Sequence, residues 1–331
     1  MEKDTEDKVE EEKSDSQSGG EKRSSEGEER QRVVKPNLFD LSDASDDTED
    51  IDLTKCRVDG LPDLSRFTCL KELSLRQNFI VELNERLNIP TLTELVLYDN
   101  QIEKISHLDT LVNLVSLDLS YNRIRKIEGL EKLVNLKQIY FVHNKIKKIE
   151  GLDALVNLEY LELGDNSIKE IENINHLTKL RELYLGKNKI SQIVNVDKLQ
   201  NLSIFSIPGN RIVSLKGIEV LPQIQEIYLS DQGIISLSEL QHLKNLTLID
   251  AGNNRVESMD GVQNLSELED LWLNDNNISD WHEVEKLANM PALRTVYLER
   301  NPIYTADVSS YRRKIMLCLS QVTQIDAVRC R

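Results

Sequence analysis

The stretch Leu114-Val-Ser-Leu-Asp-Leu-Ser-Tyr-Asn122 carries leucine at its first, fourth and sixth positions and asparagine at its ninth. Twenty-two residues later Leu136-Lys-Gln-Ile-Tyr-Phe-Val-His-Asn144 repeats the arrangement, and Leu158/Leu161/Leu163/Asn166 and Leu180/Leu183/Leu185/Asn188 follow at the same interval. Backwards, the period passes through Leu92/Leu95/Leu97/Asn100 to Leu70/Leu73/Leu75/Asn78. Forwards, it runs through Leu202/Phe205/Ile207/Asn210, Ile224/Ile227/Leu229, Leu246/Ile249/Ala251/Asn254 and Leu268/Leu271/Leu273/Asn276 to Leu293/Val296/Leu298/Asn301. No such unit can bury an apolar face alone, so a stack is required, and eleven of them in tandem predict a solenoid.

Each unit can be read physically. Val115 to Ser120 alternates apolar and exposed positions, the mark of a short strand, with Leu117 and Leu119 facing inward. Asn122 ends that strand, where its amide can bond the backbone of neighbouring coils. Ile124, Ile127, Leu130 and Leu133 return the chain over the convex side in extended or 3₁₀ turns, and Gly129, Gly151, Gly217 and Gly261 permit a bend at one shared position. Parallel strands about 4.8 Å apart then form a ribbon on the order of 50 Å long. The expected class is an α/β solenoid, a curved ribbon with a parallel concave sheet. Gln232 stands where the ladder calls for Asn, and a three-residue insertion around Ala288 to Pro291 predicts the start of a short helix.

Residues 1–50 hold 18 acids and 8 bases, a net charge of -10, whereas the remainder of the chain carries only -6 of the total -16. With almost no branched apolar residues, residues 1–50 are expected to be a disordered acidic tail. Ile51, Leu53, Val58 and Leu61 lie one period before Leu73, Leu75, Ile80 and Leu83, so the solenoid is expected over residues 51–301, opened by a half-repeat. Residues 302–331 change to Val308, Tyr311, Ile315, Cys318 and Val322, one face of a helix, followed by a strand-like Val322, Ile325 and Ala327; this is the expected C-terminal cap. The cysteines, Cys56, Cys69, Cys318 and Cys330, are scattered rather than clustered, which points to a reducing compartment. A secretion leader and a membrane span are not expected. Sequon matches such as Asn201-Leu-Ser203 and Asn245-Leu-Thr247 are attributed to the recurrent Asn-Leu of the architecture.

Side chains alternate along a strand, so the third, fifth and seventh positions of each unit project onto the concave face. They supply Glu72, Glu94, Asp118, Glu162, Glu182, Glu226, Asp250, Asp270 and Glu299, against one base, Arg76. They also supply Tyr98, Tyr140, Tyr160, Tyr184, Tyr228, Trp272 and Tyr297, thus six of the nine tyrosines in a chain where aromatics are scarce. Pleated strands favour rings for their own sake, but so strong a concentration in an acidic field points to a protein interface. A partner with basic and apolar patches fits; nucleic acid on this face is disfavoured for want of a Lys/Arg stripe. Arg123, Lys145, Lys189, Arg211 and Arg255 follow the ladder asparagines as a basic margin, read first as a solubilising edge.

Catalytic signatures are missing. His107, His143, His176, His242 and His282 form no ligand cluster in the sequence, and neither a phosphate loop nor a nucleophile elbow occurs. A non-enzymatic protein without metal or cofactor is expected.

Over residues 51–331 the chain resembles the leucine-rich-repeat regulatory subunits of Ser/Thr protein phosphatase 1. The resemblance rests on the uninterrupted 22-residue units, on Leu95-Val-Leu-Tyr-Asp-Asn-Gln-Ile102 and Leu185-Gly-Lys-Asn-Lys-Ile190, and on Val296-Tyr-Leu-Glu-Arg-Asn-Pro302 with Tyr311-Arg-Arg-Lys314. It implies that the concave face clasps the phosphatase catalytic subunit through Asp118, Tyr140, Glu162, Tyr184, Asp250, Asp270, Trp272 and Tyr297. Tyr140 and Tyr184 stand where the family can carry Phe, and Asp270 where it can carry Glu. The face reading adds Tyr228 and Glu299 to the candidate site. A third, inhibitor subunit and residence in nucleus and cytoplasm accompany this expectation. The rival expectations are an acidic nuclear histone chaperone or ribonucleoprotein adaptor acting through the tail, and a cytoskeletal scaffold.

Overall fold

The computed structural model of the chain describes residues 39–330. Its strands are β1 (Asp50–Asp52), β2 (Glu72–Ser74), β3 (Glu94–Val96), β4 (Ser116–Asp118), β5 (Gln138–Tyr140), β6 (Tyr160–Glu162), β7 (Glu182–Tyr184), β8 (Ile204–Ser206), β9 (Glu226–Tyr228), β10 (Leu248–Asp250), β11 (Asp270–Trp272), β12 (Thr295–Tyr297), β13 (Gln324–Ile325) and β14 (Val328–Arg329). They form one sheet in chain order, parallel throughout except for the final β13–β14 pair. Pairing keeps the sequence period: Leu117 opposes Ile139, which opposes Leu161, which opposes Leu183. The fold is thus the parallel-sheet solenoid that the period calls for.

The inward residues of all the coils make one continuous aliphatic core. Leu117, Leu161, Leu183 and Leu271 are fully buried; Phe205 stands in their column, and Phe141 in the next column with Leu119 and Leu163. Each buried leucine contributes about 1.5 to 3 kcal/mol. Sharing that burial between neighbours is what lets a 22-residue unit persist at all.

Asparagine secures the register. Asn122 Nδ2 donates to Leu119 O (3.1 Å) and Ser120 O (3.1 Å) of its own coil and to Leu97 O (3.0 Å) of the preceding one. Its Oδ1 accepts from Ile102 N at 2.9 Å, so one buried amide satisfies four backbone groups where the strand turns away. Asn78, Asn100, Asn188, Asn254 and Asn276 repeat the arrangement. At the irregular position Gln232 Oε1 still accepts from Ile212 N (3.0 Å), and its longer side chain donates to Leu229 O (3.2 Å) in its own coil. A second amide ladder, not foreseen from the sequence, runs along the opposite border: Asn113, Asn135, Asn157, Asn201 and Asn245 donate to Pro90, Val112, Val134, Thr178 and Pro222 carbonyls. Two of the sequon matches are therefore rungs of this ladder.

The turn before each ladder Asn has a backbone cost. Tyr121 (φ 55°), His143 (54°), Asp165 (53°) and Lys187 (52°) all adopt the left-handed conformation, which side chains other than Gly, Asn and Asp rarely enter. The convex bend uses the same region of conformational space. Gly217 sits there at φ 102°, and a Cβ would stand 2.1 Å from Ile193 O of the coil before.

Residues ahead of the expected boundary at residue 51 pack with the solenoid. Asp50 opens β1, and Phe39, Leu41 and Ala44 pack partly against the core. The rest of the expected tail, residues 1–38, lies outside the described residues. Before Leu293 the longer coil forms α1 (Trp281–Glu285), capped by Asp280 accepting from His282 N, and continues as a 3₁₀ turn over Lys286–Asn289. After Asn301 come α2 (Pro302–Thr305) and α3 (Val308–Cys318), which bury Ile303, Tyr311 and Ile315. Val308 was expected on the buried face but is exposed, because it occupies the first turn of α3, next to the capping Asp307. Among the described residues no helix is long and apolar enough to cross a membrane.

Replacing Asn122 by Ala should destabilise the protein by about 3 to 5 kcal/mol in urea unfolding, since several buried backbone groups lose their partner. Gly217→Ala should cost about 1 to 3 kcal/mol through strain. A loss under about 1 kcal/mol at Asn122 would show that neighbouring coils do not depend on the amide.

Candidate functional site

The outward residues of the strands form two parallel rows. Along one, the pairing runs Asp118, Tyr140, Glu162, Tyr184, Ser206, Tyr228, Asp250, Trp272 and Tyr297. Eight of the ten sequence-predicted site residues thus stand side by side on consecutive strands, with one gap at Ser206. Asp270 lies in the adjoining row beside Thr295, and Glu299 follows β12 at its rim.

The gap divides the rows into two clusters. In the first, the ring of Tyr160 lies between those of Tyr140 (centroids 4.7 Å apart) and Tyr184 (5.1 Å). The Tyr160 hydroxyl donates to Glu162 Oε2 at 3.0 Å, and the Tyr184 hydroxyl to Glu182 Oε2 at 2.8 Å. Tyr160 and Glu182 were legible as members of the face but not as part of the site; only the packing between coils shows that they complete the stack. In the second cluster Trp272 packs edge-on against Tyr297 at 5.7 Å, and Tyr228 donates to Glu226 Oε2 at 2.7 Å. A hollow of about 620 Å³ lies here, lined by Asp250, Trp272, Tyr297, Glu299 and Arg300 among others. The indole N–H of Trp272 is buried with no acceptor among the described residues, an arrangement that costs about 1 to 3 kcal/mol.

The electrostatics follow from crowding acids onto a half-buried surface. Burial pushes the carboxyls of Asp118, Glu162 and Asp250 above the ordinary carboxylate range, although the N–H of Ser120, the hydroxyl of Tyr160 and the N–H of Gly252 partly oppose this. Burial also raises the phenols of Tyr140, Tyr160, Tyr184 and Tyr228, assisted by nearby carboxylates, and Tyr228 is pushed up to about 12. These four phenols therefore remain neutral donors at any physiological pH. Glu299 is an ion-paired acid: Arg300 pairs with it and with Asp275, at 2.6 Å to Asp275 Oδ1. Arg76, the base of the face, lies 4.0 Å over the Tyr98 ring. The surface left over is anionic and aromatic, suited to cationic side chains with apolar stems.

Among the described residues no group of three or more His, Cys, Asp or Glu is arranged to hold a metal ion. The histidines are dispersed: His176 Nε2 lies 3.0 Å from Leu152 O, and His143 meets Asp165 at 2.6 Å.

Comparison with known proteins bears on the class. The family "Leucine Rich repeats (2 copies)" matches residues 90–132, 112–154 and 156–201, and the family "Leucine-rich repeat" matches 205–331. The chain is a leucine-rich-repeat protein, built as a scaffold for protein interaction. A stretch of 42 residues is 62% identical to the protein phosphatase 1 regulatory subunit SDS22 homolog of Caenorhabditis elegans, and it spans 13% of this chain and 13% of that protein. Among solved structures, an internalin of Listeria monocytogenes superposes with a TM-score of 0.74 at 24% identity, over 84% of this chain and 79% of the internalin. A leucine-rich-repeat protein of Leptospira interrogans gives 0.66 at 25% identity, over 82% and 76%. These structures attest to the fold.

The raised carboxyls have a consequence for pH. A native acid with a raised pKa holds its proton to higher pH than the unfolded chain does, so its burial weakens the fold once pH exceeds the raised value and ceases to do so as pH falls to the ordinary range. Asp118→Asn with Asp250→Asn should therefore raise Tm at pH 7 by roughly 1 to 3 °C, an advantage that shrinks towards pH 4. Thermal melts at both pH values check this, and a lower Tm at pH 7 would contradict the assignment.

Proposed function

We propose that this protein is a non-enzymatic regulatory subunit that binds the catalytic subunit of Ser/Thr protein phosphatase 1 through the open face of its sheet, in the manner of regulatory subunit 7. One observation carries the reading: Asp118, Tyr140, Glu162, Tyr184, Tyr228, Asp250, Trp272 and Tyr297 lie in register on one surface, with Asp270 beside them. The local identity to a phosphatase 1 regulatory subunit supports the choice of partner. In this reading the acids steer a basic surface into place, and the rings of Tyr184, Trp272 and Tyr297 are buried on contact. Regulation, targeting or maturation of the enzyme, recruitment of a third, inhibitor subunit, and action in nucleus and cytoplasm belong to the same proposal.

Trp272→Ala with Tyr184→Ala should reduce recovery of phosphatase 1 from native extract at least tenfold, an expectation of about 2 kcal/mol or more for buried anchors, while the melting curve stays within a few degrees of the parent. Undiminished recovery would remove the open face as the binding surface. The rival reading, a histone chaperone acting through its acidic N-terminal segment, predicts that deleting residues 1–38 abolishes partner capture. That deletion is cleaner than one ending at residue 50, which would remove the first residue of β1 and the packing of Phe39, Leu41 and Ala44.

A further inference from the structure

On the flank where the chain leaves the strands, the repeat lines up cations. Arg123, Lys145 and Lys189 follow their ladder asparagines, and each donates its backbone N–H to the preceding coil at 2.8 Å, to Ile102, Ile124 and Ile168. These bonds hold the residues in a row. Two positions further on, Arg125, Lys147 and Lys169 make a second row on three consecutive coils. All six are exposed. The second row begins at an acid, Glu103, one coil before Arg125, but none of the six cations has an ion pair among the described residues, and Glu128 and Glu172 pair instead with Lys126 at 3.1 Å and Lys148 at 3.8 Å. Like charges stacked about 5 Å apart on adjacent coils destabilise each other. The fold carries this cost within a chain whose net charge is -16.

The second row does not end at Lys169. It continues through Ser191 to Val213 and Ile235, which are 58% and 64% exposed, and so changes from basic to apolar. Beside Val213 lies a hollow of about 530 Å³ whose apolar lining is Ile193, Val194 and Val213, with Lys216 and Glu219 among the polar residues around it. Basic rows leading to the exposed Val213 and Ile235 and a partly apolar hollow call for a ligand that is anionic along most of its length and apolar at one end. A polynucleotide would find charge but no ring to stack on beyond Lys169. A peptide satisfies both parts, and the four coil steps from Arg125 to Val213 are spanned by about six to eight extended residues.

We infer that this flank is a second docking surface, which takes an acidic peptide segment of a partner with its carboxylates on Arg125, Lys147 and Lys169 and an aliphatic anchor in the hollow at Val213. The site is separate from the open face and does not rest on the phosphatase reading.

The test is fluorescence anisotropy of the full chain with a labelled peptide of six alternating Glu and Asp residues ending in Leu-Leu, at low salt where charge contacts are least screened. Arg125→Glu/Lys147→Glu/Lys169→Glu should weaken binding at least tenfold, and Val213→Ser or removal of Leu-Leu should weaken it several-fold. Melting curves establish that the variants fold, and Lys147→Gln alone serves as a milder change with a smaller loss. Trp272→Ala should leave binding unchanged. No binding by the parent, equal binding by the charge-reversed variant, or loss of binding in Trp272→Ala would each overturn the inference. So would tighter binding of an oligothymidylate of equal charge.

Discussion

The amide of one asparagine per coil is the interaction on which everything else depends. At Asn122 it ties together three carbonyls and one N–H drawn from two coils, within a turn that the core keeps from water. Such a turn would otherwise hold several unsatisfied backbone groups, each a penalty of about 1 to 3 kcal/mol. Because the bonds reach the preceding coil at fixed sequence offsets, the spacing between strands and amide cannot vary. Length changes are confined to the return path, and the 25-residue coil places its extra residues there as α1 and a 3₁₀ turn. Gln232 shows the tolerance of the ladder: the acceptor bond survives, while the donor turns to its own coil.

Fixed register has an electrostatic result. Parallel strands bring equivalent positions together, so a residue type that recurs becomes a continuous row. On the open face this assembles rings and carboxylates, and the shared burial raises the pKa of Asp118, Glu162 and Asp250. The face is held at a cost to stability, and in the proposed function an arriving cationic partner offsets that cost. On the flank the same register stacks lysines and arginines. Acidic face and basic flank therefore share one cause, although they present opposite signs.

How far the chain could be read in advance varies by element. The solenoid, the strand positions and the eight-residue row were legible, because strand alternation and the 22-residue period are local and translational. The second amide ladder was visible only as a recurring Asn-Leu, and its role appeared once Asn201 was seen to donate to Thr178 O. The left-handed turn at Tyr121, His143 and Lys187 left little trace in composition, since ladder bonds and core packing override the preference of those side chains. Val308 matched the helical period yet is exposed, because a residue in the first turn of a helix need not meet the core even when its spacing is right.

The amino-acid sequence by itself determined the stack, its register and the identity of the residues on each face, since every one of these follows from a repeat counted along the chain. Tertiary structure alone decided how those residues act together. It set Tyr160 between Tyr140 and Tyr184, joined Arg300 to Asp275 of the preceding coil and left the flank cations without ion pairs among the described residues. The reason is one of range. A period specifies which coils are neighbours, whereas ring stacking, ion pairing and burial depend on side-chain geometry between coils, where residues 20 or more apart in sequence first come within a few ångströms.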